Sequence, residues 1–290
     1  MIVVADSGST KCDWLIHNTV TQQEIRTHTM GFNPYFHDAD KIATEIEANE
    51  FLQQISAQVR AVYFYCAGGS SDEMRQIAAN GLKRIFINAH IEVYHDLEGA
   101  VRATCGKEKG IACILGTGSN AVYFDGENMI EAAPSLGYIL GDEGSGSWFG
   151  RRLLKDFLYH RMPEDIFRSF EETYALDKQE ILRRVYRMPH ANVFLASFGP
   201  FLSRHQLHPY ILKVVSEGLH EFVEAHVCCF PQHREVPVHF VGSIAVYFRE
   251  SLLQITGALG CSLGRVTREP VNEIMQYHLH QNDFSAASSS

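Results

Sequence analysis

At 290 residues the chain is long for one minimal domain and comfortable for two, and 46% apolar residues let each half bury an ordinary core. A formal charge of −9 and a pI near 5.9 leave no concentration of Lys and Arg, which argues against nucleic acid or an anionic membrane surface as partner. No run of eighteen apolar residues occurs, so no membrane-spanning helix is expected.

The chain opens as strand, tight turn and strand over Ile2–Ile16. Asp6 ends a short apolar run, and no basic segment precedes that run, so the start reads as a first strand and not as a signal peptide. Arg60–Gly69 is a buried strand running into a glycine turn, and Ser70-Ser-Asp-Glu73 caps an amphipathic helix reaching about Ile85. A strand over Ile91–Asp96 leads directly into a helix over Leu97–Arg102. The polar, Gly-bounded stretch Gly106–Gly110 reads as an inter-lobe link. Ala112–Phe124 then repeats the opening pattern. With Gly8 set against Gly118, Asp-Ser-Gly-Ser-Thr meets Gly-Thr-Gly-Ser-Asn, which suggests two related lobes that each open with a hairpin. A glycine at each tip implies positive φ or close approach of a ligand.

From Trp148 to about Phe230 the pattern is helical, punctuated by Pro163, Pro189, Pro200 and Pro209. A strand over Val238–Ser243, a helix over Ala245–Leu259 and a short strand over Gly264–Val266 close the second half, and residues 283–290 read as a disordered tail. Strands alternating with helices give an α/β class. The seven cysteines include no CxxC pair and read as reduced thiols in a cytoplasmic protein. His205 and His208, three apart, have no acidic or cysteine neighbours in sequence, so no histidine metal site is expected.

Four segments carry chemistry. Asp6-Ser-Gly-Ser-Thr-Lys11 combines main-chain donors, two hydroxyls and a cation suited to phosphate oxygens, and Asp6 at a strand end could hold Mg2+ through water. An ordinary hairpin turn uses the same residue types. Leu115-Gly-Thr-Gly-Ser-Asn120 lacks the Walker ending, and a strand follows it where a dinucleotide fingerprint needs a helix; a phosphate contact is the functional reading. Gly141-Asp-Glu-Gly-Ser-Gly-Ser147 delivers two carboxylates in a flexible loop, suited to sugar hydroxyls or magnesium, while Ser145 or Ser147 caps the helix that follows. Asp96 ends a strand, where open α/β sheets place working residues, although a helix N-cap is the plainer reading. Val241-Gly-Ser243 ends another strand and opens a helix.

Taken in order, Asp6-Ser-Gly-Ser-Thr10, Gly31-Phe-Asn-Pro34, Cys66-Ala-Gly-Gly69, Asp96-Leu-Glu-Gly-Ala100, Leu115–Asn120, Gly141–Ser145 and Val241-Gly-Ser243 resemble the BadF/BadG/BcrA/BcrD ATPase family. Within it the chain is similar to the N-acetylglucosamine kinases of the actin, sugar kinase and Hsp70 superfamily. The resemblance spans residues 2 to 280. It implies two ribonuclease-H-like lobes with an ATP cleft between them, residues 1–108 and 109–267, with a helix over about 268–282 returning to the first lobe.

It further implies a cytoplasmic kinase using ATP and Mg2+ on an amino sugar, with a homodimer as a family-level expectation. Asp6 would organise Mg2+. Gly8, Ser9, Thr10 and Lys11 would contact phosphates, with Thr117 and Gly118 as a second clamp and Gly242 and Ser243 bordering the nucleoside. Asp96 would be the base and contact the sugar, which Asn33, Ser119, Asn120, Ser135, Leu136, Gly137 and Asp142 would also line. The animal enzymes carry Trp where this chain has Leu136, which bears on the choice of sugar. Two other functions share these lobes: an activator ATPase of an acyl-CoA dehydratase or reductase, whose bridging cysteine pair has no counterpart at Cys105 or Cys228-Cys229, and a non-catalytic sugar or nucleotide sensor, against which Asp6, Asp96 and Asp142 weigh together.

Overall fold

Val3, Val4 and Ala5 are fully buried because the strand they occupy lies in the middle of a sheet covered on both faces. The computed structural model describes residues 1–287, with side chains as far as residue 280. They divide into two compact units, Met1–Lys107 with the segment from Glu269 onward, and Glu108–Arg268.

The first unit runs β1 (Ile2–Ser7), β2 (Lys11–His17), β3 (Glu24–Met30), α1 (Ala39–Glu47), α2 (Glu50–Ile55), β4 (Ala61–Cys66), α3 (Asp72–Ile85), β5 (His90–His95) and α4 (Asp96–Thr104). Its sheet has the order β3-β2-β1-β4-β5, antiparallel through the first three strands and parallel through the last two pairings. Alternation along β1 sends Val3 and Ala5 to a core with Ile42, Ile46 and Leu82, and Ile2 and Val4 to the opposite face. Asp38, Asn49 and Ser71 cap α1, α2 and α3, each accepting a main-chain N–H with its side chain.

The second unit runs β6 (Gly110–Leu115), β7 (Ser119–Phe124), β8 (Met129–Ile130), α5 (Gly137–Leu140), α6 (Gly146–Leu158), α7 (Glu164–Tyr174), α8 (Lys178–Tyr186), α9 (Ala191–Ala196), α10 (Gly199–Arg204), α11 (Pro209–Phe222) with a π turn over Val223–Val227, β9 (Pro237–Val241), α12 (Ser243–Tyr247), α13 (Arg249–Ala258) and β10 (Ser262–Thr267). Its sheet order is β10-β9-β6-β7-β8. Counted from its own first strand this is the first unit's order again, so both sheets have the ribonuclease-H-like arrangement and the hairpin echo extends to whole lobes. The prolines stand at helix starts: Pro163 precedes α7, and Pro200 and Pro209 sit in the first turns of α10 and α11, where a missing N–H costs nothing.

Helix α14 (Val271–Ala287) packs on α4 and β1 in the first unit and places Ile274 and Met275 in the core on that face. It takes in the beginning of the tail expected to be disordered; residues 288–290 lie outside the described residues. Two other expectations change. The helix expected over 245–259 is broken at Phe248 into α12 and α13. Asp96 is the first residue of α4 and not its N-cap, a place taken by His95, whose main-chain N–H donates to Glu98 Oε1 at 3.2 Å. His208 does have an acidic neighbour in space, Asp165 of α7, at 3.3 Å.

Candidate active site

The first hairpin has a short tip. Ser7 pairs with Cys12, and the Gly8 N–H donates to the Lys11 carbonyl at 3.0 Å. Gly8 needs no left-handed backbone, and a Cβ built on it would meet nothing nearer than the Lys11 carbonyl at 3.8 Å, so the expected positive φ is absent and only the ligand reason for glycine remains. The glycine this tip requires is Gly31. A Cβ there would lie 2.7 Å from the Ser9 carbonyl carbon, 2.8 Å from the Lys11 nitrogen and nearer still to the Gly8 oxygen. Buried Ser7 locks the same contact, its Oγ accepting from the Phe32 N–H at 2.7 Å and lying 3.2 Å from the Phe32 carbonyl. The loop continues to Asn33, whose Oδ1 accepts from the Tyr35 N–H at 3.0 Å and whose side chain packs on Gly68, a left-handed residue just beyond β4.

Beside this tip the carboxylates of Asp13, Asp96 and Glu269 act on that of Asp6. The four-residue turn Gly8–Lys11 sets Asp13 directly across from Asp6, like charges on neighbouring strands. Asp96 follows β5, and Glu269 precedes α14. Burial first, then Asp96, Asp13 and Glu269, raises Asp6 to about 7, and burial also raises Asp96. Lys11 offsets part of the charge, its Nζ 2.5 Å from Asp13 and 3.8 Å from Glu269. Asp96 is held by His95 Nε2 at 3.1 Å and by the Leu97 N–H at 2.9 Å, both on Oδ1. Arg26 Nη1 lies 3.7 Å from Glu269 as a second counter-charge at the rim, and buried Asp6 at the centre suits a divalent cation bound through few carboxylates.

In the second unit the tip Gly116-Thr117-Gly118 is closed by the Gly116 N–H donating to Gly118 at 3.0 Å. The first turn of α6 docks onto it, Gly146 N–H donating to the Gly116 carbonyl at 2.8 Å and Ser147 N–H to Thr117 at 3.0 Å. Ser145 caps α6 through the Trp148 N–H at 3.2 Å, as expected of one of these serines. Asp142 lies on Gly118, 2.9 Å from where a Cβ would stand, and its Oδ1 accepts from the Ser119 N–H at 3.3 Å; Ser119 Oγ donates to the Glu143 carbonyl at 2.8 Å. Asp142 and Gly144 are both left-handed, a sharp fold that turns the carboxylate back onto the tip. Burial is the main cause raising the Asp142 carboxyl, with Glu143 adding to it. Glu143 is engaged by His226 Nε2 at 2.9 Å. Gly242, at φ +123°, lets β9 pass the end of β6, where a Cβ would come within 2.7 Å of the Leu115 carbonyl carbon, and its N–H donates to Thr267 at 2.9 Å.

Thus Asp6, Gly8–Lys11 and Asp96 gather at one end of the first sheet with Asn33 alongside, while Thr117–Asn120, Asp142 and Gly242–Ser243 gather at one end of the second. Asn120 turns its Oδ1 to the Ala121 N–H at 2.9 Å. Ser135 and Leu136 are exposed, and Gly137 begins α5. Leu136 reaches the loop only by leaning toward Gly141, while Arg151 ties that region to α6 through the Ile139 and Gly141 carbonyls. Asp13, Glu269, Ser7 and His226 were missed in the sequence. Asp13 was within reach, since a four-residue turn fixes its register against Asp6.

A solved structure from Porphyromonas gingivalis, of a putative N-acetylglucosamine kinase, matches with 38% identity and a TM-score of 0.87, over 96% of this chain and 98% of its own. The chain belongs to this N-acetylglucosamine kinase-like family. It is a sugar kinase-type phosphotransferase with an alcohol acceptor, within the actin, sugar kinase and Hsp70 superfamily. A putative N-acetylglucosamine kinase from Chromobacterium violaceum shares the fold at 19% identity and a TM-score of 0.71, covering 95% of this chain and 98% of that one. A ROK hexokinase from Thermus thermophilus does so at 15% identity and 0.50, covering 92% of each. No protein-family model and no curated protein matches the sequence. Among the described residues no helix is long and apolar enough to cross a membrane.

Proposed function

We propose that this sugar kinase transfers the γ-phosphoryl group of ATP to a hydroxyl of an amino sugar, with N-acetylglucosamine yielding its 6-phosphate. The acidic group around Asp6 carries the reading: burial, and then three neighbouring carboxylates, raise Asp6 to about 7, and Asp96, just after β5, is one of the three. Mg2+ would be held by Asp6 through water and would neutralise charge on the phosphates. Gly8, Ser9, Thr10 and Lys11 in the first lobe, and Thr117 and Gly118 in the second, would contact phosphate oxygens; Gly242 and Ser243 would border the nucleoside.

Asp96 would take the proton of the accepting hydroxyl as the new phosphorus–oxygen bond forms and the bond to ADP breaks. Two features suit it to the task. His95 and the Leu97 N–H fix its Oδ1, and burial makes it a stronger base than a carboxylate in water. Asn33, Ser119, Asn120, Asp142 and the stretch Ser135-Leu-Gly137 would line the sugar. An exposed Leu136 offers an apolar contact without an aromatic face. ADP release measured with N-acetylglucosamine, glucosamine, N-acetylmuramic acid and N-acetylmannosamine tests the proposal. ADP should appear only when an acceptor is present, and fastest with N-acetylglucosamine. Equal release with and without every sugar, or none at all, would overturn it.

A further inference from the structure

Cys228, His233 and Cys261 come together from three separate places in the second unit. Cys228 caps the π turn after α11, His233 lies in the turn before β9, and Cys261 immediately precedes β10. One sulfur from each cysteine and one ring nitrogen all lie within 4.8 Å of one another. A tetrahedral zinc ion, with bonds of about 2.3 Å to sulfur and 2.0 Å to nitrogen, holds such atoms about 3.5–3.8 Å apart, so the cluster needs only slight contraction.

The surroundings suit a metal. His233 Nδ1 lies 2.7 Å from the Phe230 carbonyl; with its proton given to that oxygen, Nε2 keeps the lone pair that a metal requires. The Cys228 N–H closes the π turn on Val223 at 2.9 Å, and the Cys261 N–H donates to Thr256 at 2.8 Å, so both cysteines stand on fixed backbone. Arg234 packs on Gly260, a left-handed residue, tying the His233 turn to the Cys261 segment. Glu224 and Arg234 are the charged groups beside the two sulfurs. A soft divalent ion would bind both sulfurs as thiolates.

We propose that Cys228, His233 and Cys261 form a zinc site, two thiolates and one imidazole with water in the fourth position. This departs from the sequence expectation of independent reduced thiols. Binding exchanges two thiol protons for one Zn2+, and no electron moves. The site is a staple and not part of phosphoryl transfer. Ser262 pairs with Pro237 at the start of β9, while Gly242 lies beyond its far end, five residues or about 16 Å away.

The test uses the full chain, reduced and stripped with a chelator, then titrated with Zn2+ and separately with Co2+, in wild type and in an Asp6→Asn background that removes binding at the acidic group. One equivalent should bind, cobalt should show thiolate charge transfer, and Tm should rise by roughly 5–10 °C at free zinc a hundredfold above Kd. Cys261→Ser should weaken binding at least a hundredfold. His233→Gln, in a half-buried turn that tolerates the change, should do the same while leaving sugar phosphorylation intact. Absence of zinc uptake by the reduced wild type, undiminished binding in His233→Gln, or a Cys228–Cys261 disulfide that forms in place of metal uptake would each overturn the proposal.

Discussion

Replacing Gly8 with Ala separates what the fold needs from what a ligand needs. Nothing in the free lobe requires glycine there: the backbone is outside the left-handed region, and the added methyl would touch only the Lys11 carbonyl at an ordinary 3.8 Å. The unfolded chain loses freedom, so the variant should gain roughly 0.4–1 kcal/mol, or about 1–4 °C in Tm. Phosphate oxygens bound to this tip would be displaced by the methyl by about 1 Å, a misplacement on the scale that costs 10²-fold in rate, or about 2.7 kcal/mol. Gly31→Ala is the contrast. Its methyl would strike Ser9 and Lys11 backbone at 2.7 and 2.8 Å, so the tip itself must move; stability should fall by roughly 1–3 kcal/mol and activity with it. Coupled ADP release and thermal unfolding on both variants read the two quantities. Wild-type kcat/KM in Gly8→Ala would show that no phosphate approaches the tip, and a lowered Tm would show that the space beside Gly8 does not exist.

Asp96→Asn should keep sugar binding by calorimetry and lose roughly 10²–10⁴-fold in kcat; turnover near wild type would remove Asp96 from the base's role. Asp6, raised to about 7, makes the folded protein hold a proton that the unfolded chain releases. Its stabilising contribution is therefore full below about pH 4 and lost as pH climbs to 7, on the order of 4 kcal/mol. Asp6→Asn should abolish turnover and flatten that slope, giving a higher metal-free Tm than wild type at pH 8; identical slopes would refute the assignment. Asp142→Asn should raise the sugar KM several-fold and leave the ATP KM nearly unchanged, and the reverse pattern in initial-rate kinetics would exclude a sugar role for Asp142.

Strands β1 and β4 were legible as apolar runs, β5 as a strand leading to Asp96, and so was the repeat of the opening hairpin. The edge strand β3 was not, because Glu24, Arg26, Thr27, His28 and Thr29 leave no apolar alternation to read. Likewise the break at Phe248 has no Gly or Pro to announce it. The acidic group was half legible: Asp6 and Asp96 end strands, and Asp13 follows from hairpin register, but Glu269 arrives from far along the chain when α14 returns to the first unit. The same distance hid Cys261 from Cys228 and His233. Sequence spacing shows ligands that share a helix or a turn; it does not show those that a sheet brings together.

The two lobes share a topology yet brace their hairpin tips by different chemistry. The first tip rests on main chain, with Gly31 beneath it and Ser7 bonded to Phe32, so its shape does not depend on a charge in the brace. The second tip rests on a carboxylate, Asp142, against Gly118 and the Ser119 N–H. An anion about 4 Å from that carboxylate would be opposed by roughly 4 kcal/mol at an effective dielectric near 20. A sugar hydroxyl donating to it would gain about 1.5–3 kcal/mol. The side of the second tip that faces Asp142 is therefore built for a donor, and any phosphate held by Thr117 and Gly118 must approach from the other side.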